Sequence, residues 1–146
     1  MSRVAVAAIV LLGAAAPAEL AAQATHQAWD PATAEWKPSG RGLESAVILG
    51  NPEAKGAYTI AFRLAPGAWI PPHTHPAAKQ VTILSGELLM GFGQALDSTR
   101  ASGLGAGRLM VVPPNTAHFE GARQRTVVLF SGEGPLVTNW ITPPAR

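Results

Sequence analysis

Apolar and polar positions alternate with a period of two along much of the chain. Tyr58, Ile60, Phe62 and Leu64 interleave with Thr59, Ala61 and Arg63, and Pro66-Gly67 closes the run. Such alternation places one face of an extended strand against a core and turns the other outward. Ser45–Leu49 ends at Gly50-Asn51-Pro52, while Gln80–Leu84 and Glu87–Phe92 flank Ser85-Gly86, which reads as a two-residue hairpin turn. Arg108–Val112 stops at Pro113-Pro114, and Ala117–Glu120, Thr126–Ser131 and Leu136–Ile141 predict three more strands. Asp97–Gly107, rich in Gly, Ser and Ala, reads as a loop. No segment after residue 24 carries helical periodicity, and no repeat recurs at a fixed period. Eight or so short strands at this spacing predict an all-β antiparallel sandwich or barrel. Its expected core is Ile60, Phe62, Val81, Ile83, Leu88, Met90, Val111, Phe119 and Val128.

The first 24 residues follow a different pattern. Arg3 precedes an uncharged, largely apolar run over Val4–Ala16, Pro17 and Glu19 break it, and Ala22-Gln23-Ala24 puts small residues before a cleavage point. This is the three-part pattern of a secretory signal peptide. The 13 residues of the run fall short of the roughly 20 that span a bilayer. Cleavage is therefore expected to leave Thr25 as the mature N-terminus, with no membrane span in the mature chain, in the periplasm or secreted. Residues 25–42 carry Pro31, Pro38, Gly40 and Gly42 without sustained periodicity, and read as an arm over the domain, anchored by Trp29 and Trp36. Residues 43–146 form the β domain. His26, in the arm, reads as a surface residue.

Composition narrows the chemistry. The 146 residues are 47% hydrophobic and 14% charged, with 15 Gly and 13 Pro, which excludes a disordered polyelectrolyte and argues against a helix bundle. A net charge of +2 with basic residues scattered singly offers no stripe to track nucleic-acid phosphates. The absence of Cys excludes disulfides, iron–sulfur clusters, thiolate nucleophiles and Cys-containing zinc sites. Any metal must be held by His or oxygen donors.

Three of the four His fall into one arrangement. In Gly67-Ala-Trp-Ile-Pro-Pro-His73-Thr-His75, the two imidazoles at i and i+2 share one face of an extended segment. His118 follows the Pro113-Pro114-Asn115 turn at the start of another strand. Three neutral imidazoles converging from two strands make a facial nitrogen set that leaves coordination positions open. His73, His75 and His118 are therefore the candidate ligands of one divalent ion, drawn from Fe, Mn, Ni, Cu or Zn.

With these residues the sequence resembles the cupin superfamily, whose motifs run G-x5-H-x-H-x3,4-E-x6-G and G-x5-P-x-G-x2-H-x3-N. Here Gly67, His73, His75 and Gly86 match the first motif, and Gly107, Pro113 and His118 the second, with every spacing kept. Lys79, Asn115 and Ala122 depart from it, in place of Glu, Gly and Asn. Asn115 is the mildest departure, because Asn tolerates a positive φ. The segments HTHP, VTILSGEL and VVPPNTAHF look similar to small single-domain RmlC-like cupins. The resemblance implies a jelly-roll barrel, or double-stranded β-helix, binding metal, with homodimers pairing through sheet edges.

The resemblance also implies a Glu ligand at position 79, which an ammonium cannot replace, having donors but no acceptor. Strand parity points Lys79 inward; a local twist sends it to the solvent at the barrel rim instead. Glu120, two residues after His118, shares that residue's face by parity. Two arrangements follow: Lys79 and Glu120 meet across the barrel as a catalytic proton-transfer couple, or Lys79 points out and Glu120 ligates the metal. Three-His cupins without a Glu ligand include dioxygenases. The sharpest expectation is thus an exported metal enzyme acting on a small oxygen-bearing molecule, favouring anions such as enolates. The alternatives are a non-catalytic periplasmic barrel that binds a small ligand or metal, and a dimerisation module.

Overall fold

Alternation of apolar and polar side chains builds two antiparallel sheets in the computed structural model, which describes residues 28–141. The predicted signal peptide, the mature N-terminus at Thr25 and His26 lie outside the described residues. In chain order the strands are β1 (Lys37–Pro38), β2 (Leu43–Leu49), β3 (Gly56–Leu64), β4 (Trp69–Thr74), β5 (Lys79–Ser85) and β6 (Glu87–Phe92). They continue as β7 (Ser102–Gly105), β8 (Leu109–Val112), β9 (His118–Gly121), β10 (Thr126–Gly134) and β11 (Asn139–Trp140). One sheet has the order β1-β2-β3-β10-β5-β8 and the other β11-β4-β9-β6-β7. Sequence neighbours are mostly split between sheets, so each sheet is assembled from distant strands. This is the expected all-β jelly roll.

The core lies between the sheets. Tyr58, Ile60 and Leu64 of β3 meet Val81 and Ile83 of β5, Leu88 and Met90 of β6, and Val128 and Phe130 of β10. Phe62 packs against this cluster, its ring 5.0 Å from that of Phe130 in an edge-on arrangement.

Four local expectations are corrected. Ser85-Gly86 is not a hairpin: β5 and β6 belong to different sheets, and the chain crosses between them at Gly86. A Cβ there would lie 2.5 Å from the Arg125 carbonyl oxygen and from Thr126 Oγ1, so only Gly turns this corner. Val111 is 53% exposed, because β8 pairs with Lys79 opposite Val112 and Val81 opposite Met110, which turns Val111 outward with Gln80. The loop expected over 97–107 contains a 3-10 turn at Ser98–Arg100, capped by Asp97, and the edge strand β7. Phe119 is buried, but on the outer face of its sheet, tilted against Trp69 at 6.2 Å between ring centroids.

The arm is tied down at two places. β1 adds an edge strand to β2. Trp29 and Trp36 meet edge-on at 5.8 Å, and the Arg63 guanidinium lies 4.5 Å from the Trp36 ring centre while pairing with Glu44 at 2.7 Å.

Candidate metal centre

His73 lies next to the end of β4 and His118 opens β9, and the register places them directly opposite each other. The register shifts between Ile70 and His73, where Pro71-Pro72 interrupts the ladder. His75 follows just beyond β4. The turn that delivers His118 holds Asn115 at φ +57°, as its departure from Gly permits, and the Asn115 N–H donates to the His75 carbonyl at 2.7 Å. That bond joins the two histidine-bearing segments.

All three rings are fixed in the same way. Each Nδ1 donates to a backbone carbonyl: His73 to Pro71 at 2.7 Å, His75 to Val137 at 2.7 Å and His118 to Thr116 at 2.8 Å. A carbonyl only accepts, so each Nδ1 carries a proton and Nε2 is the nitrogen left to ligate. Backbone acceptors behind ligand imidazoles are the arrangement that orients them toward a metal. The three residues can present ligand atoms all within 4.8 Å of one another, and all three are buried. His118 Nε2 is fully buried without a hydrogen-bond partner, an arrangement that a bound cation would resolve. The donor set therefore fits a divalent ion.

Burial keeps the rings of His73 and His75 neutral. It lowers His73 below the usual imidazole range, and together with the nearby Lys79 charge lowers His75 to about 3.

Lys79 points inward and is only 2% exposed. Burial lowers its ammonium to about 8, with the Glu120 carboxylate opposing that shift. Glu120, 1% exposed, also faces inward, its Oε1 3.7 Å from His118 Nε2. The expected direct meeting of the two is replaced by another contact. Lys79 Nζ hydrogen-bonds to His75 Nε2 and lies 4.3 Å from the Phe130 ring centre, while Glu120 Oε1 has no hydrogen-bond partner.

His73, His75, Lys79 and Glu120 line a cavity of about 160 Å³. Its walls include Leu43, Phe62, Ile70 and Phe130. Leu136, Thr138 and Trp140 close it from the segment between β10 and the end of β11, a contribution that the strand pattern did not predict. The ring of Trp140 lies 5.2 Å from that of His73 and is 43% exposed, which places it at the mouth. An aromatic near the C-terminus was the only local cue. Trp69 lies on the outer face of the same sheet, against Phe119.

Comparison with known proteins agrees with this fold. The family model described as the ChrR Cupin-like domain matches residues 24–137. Germin-like protein 3-1 of Oryza sativa subsp. japonica is 32% identical over 100 residues, covering 68% of this chain and 44% of that protein. The chain spans less than half the length of the curated relatives it matches. An RmlC-like cupin from Shewanella frigidimarina superimposes with a TM-score of 0.59 at 17% identity, over 75% of this chain and 91% of that one. The polyketide cyclase RemF from Streptomyces resistomycificus superimposes with a TM-score of 0.65 at 16% identity, over 82% and 88%. At such identities the likeness establishes the fold.

Proposed function

The chain belongs to the family of the ChrR cupin-like domain, and from that premise we propose that it is an exported metal protein acting on a small oxygen-bearing organic molecule. The observation that carries this reading is the trio of buried imidazoles, each Nδ1 committed to a carbonyl, so that His73, His75 and His118 each leave only Nε2 as a ligand atom. A divalent ion held there, of Fe, Mn, Ni, Cu or Zn type, supplies Lewis-acid polarisation of a ligand oxygen and, where redox-active, dioxygenase-like chemistry. The protein's own groups do the rest. Leu43, Ile70 and Phe62 exclude water from one side of the ligand. The 160 Å³ cavity holds the liquid volume of about five waters, which restricts the occupant to a small molecule. Lys79 attracts an anionic oxygen such as an enolate or carboxylate, and Glu120 accepts or returns a proton, so these two are the proposed catalytic residues.

Metal content of the purified protein tests the foundation. One divalent ion per chain is expected, lost in His118→Ala and kept in Thr74→Ala. Full metal content in His118→Ala would remove the second motif from the site. Oxygen uptake by metal-loaded protein with small enolisable acids then separates catalysis from simple binding: ligand binding without turnover supports the non-catalytic alternative. Export is supported by the residue pattern before Thr25 and by a family match that begins at residue 24. N-terminal sequencing of exported protein should read from Thr25, and an intact Met1 would overturn it. Light scattering tests the homodimer, whose support is the exposed Leu49, Leu109 and Val111 on the six-stranded sheet.

A further inference from the structure

The nitrogen that His75 would offer to a metal is already engaged. Its Nδ1 is held by the Val137 carbonyl, so the ring cannot turn to offer its other nitrogen without losing that bond. Its Nε2 accepts from Lys79 Nζ. Across the same cavity, Glu120 Oε1 is buried and unpaired. Once three imidazoles are engaged by an ion, it is the remaining buried side-chain acceptor without a partner among the described residues.

We propose that Lys79 seals His75 Nε2 in the metal-free protein and transfers its hydrogen bond to the Glu120 carboxylate when the three histidines take up an ion. The inference rests on the three-His reading above and deepens it, making Lys79 a positioning residue for metal uptake. Lys79 has to leave, because one lone pair serves one partner. It cannot remain unpaired, because a buried ammonium beside a cation lacks both solvation and a counter-charge. Its flexible four-carbon stem lets the head group travel within the cavity while the backbone stays in β5. The Glu120 carboxylate answers both needs. The rearrangement gives a partner to both buried side-chain atoms that lack one among the described residues, His118 Nε2 and Glu120 Oε1.

A double-mutant cycle on metal affinity tests this, using competition titration with Zn²⁺ or Co²⁺ on wild type, Lys79→Met, Glu120→Gln and the double variant. Lys79→Met should bind about ten- to a hundredfold more tightly, since breaking a charge-assisted hydrogen bond no longer limits the competent population. Glu120→Gln should weaken binding about tenfold in the wild-type background. In the Lys79→Met background the same change should have little effect, because no ammonium then needs the carboxylate. Equal weakening in both backgrounds would overturn the proposal and make Glu120 a direct ligand or a simple counter-charge. Unchanged or weaker binding by Lys79→Met would overturn it too. Should Glu120→Gln fail to fold, Glu120→Asp repeats the cycle with the charge kept, and is expected to weaken binding only where Lys79 is present. Absence of metal binding from every variant would refute the three-His reading itself, with His118→Ala as the reference for a null.

Discussion

On the outer face of the five-stranded sheet, Gly91 of β6 lies directly opposite Phe119 of β9, with the ring across it. A Cβ on Gly91 would fall 2.1 Å from Phe119 Cζ, far inside van der Waals contact. Phe119 sits between His118 and Glu120, so whatever moves its ring also strains the strand that carries two residues of the site. Gly91→Ala must either push the strands apart or expel the ring. Overpacking of this kind costs about 1–3 kcal/mol. Expelling the ring sets a ceiling, since exposing a buried Phe side chain costs about 1.5–3 kcal/mol. The expected loss is therefore about 2–3 kcal/mol. For a domain of this size that corresponds to roughly 8–12 °C in Tm, read by circular dichroism on the metal-free protein. Phe119→Leu, which removes the clashing end of the ring, should recover part of the loss when combined with Gly91→Ala, a coupling of about 1 kcal/mol. A Tm for Gly91→Ala at the wild-type value, or strict additivity in the pair, would show that the ring is not pinned and does not hold β9.

Acid should destabilise the metal-free protein. His75, lowered to about 3 from its ordinary 6.5, and His73, lowered in the same direction, bind fewer protons folded than unfolded below 6.5. Their contribution is present above that value and is lost as pH falls toward 3, so urea midpoints should drop between pH 7 and pH 4 and drop less in His75→Gln. Thr126 is fully buried at the corner beside Gly86, and its Oγ1 accepts from the Glu87 N–H at 3.1 Å while lying 3.0 Å from the carbonyls of Glu87 and Gln124. Thr126→Val keeps the shape but strands the N–H, at about 1–3 kcal/mol in urea denaturation; an unchanged midpoint would contradict this. Asn115 at φ +57° predicts that Asn115→Val lowers stability by about 1–2 kcal/mol while Asn115→Gly is tolerated; equal melting of the two would refute the turn argument.

Much of the site is legible in the sequence because side-chain direction in a strand is a local property. His73 and His75 share a face by parity, Glu120 shares that of His118, and of the two directions open to Lys79 the structure takes the inward one that parity pointed to. Ends of strands are partly legible too, since Pro113-Pro114 and Pro66-Gly67 each stop a strand, although Pro71-Pro72 lies within β4 and only shifts its register.

What each strand meets is another matter, because partners come from distant parts of the chain. Ser85-Gly86 has the composition of a hairpin, yet the corner packing against Arg125 and Thr126 carries the chain into the second sheet. Val111 and Val112 are equally apolar, and only the pairing of Lys79 with Val112 turns one inward and the other out. Parity allows Lys79 to face a carboxylate, but its stem emerges beside His75, the nearer acceptor, and leaves Glu120 unpaired. The segment from Leu136 to Trp140 closes the cavity only because β11 pairs with β4. Alternation and turn chemistry thus determined the strands and the faces of the ligands. Long-range register decided which faces meet, because a shift of one residue exchanges the inside of a strand for its outside.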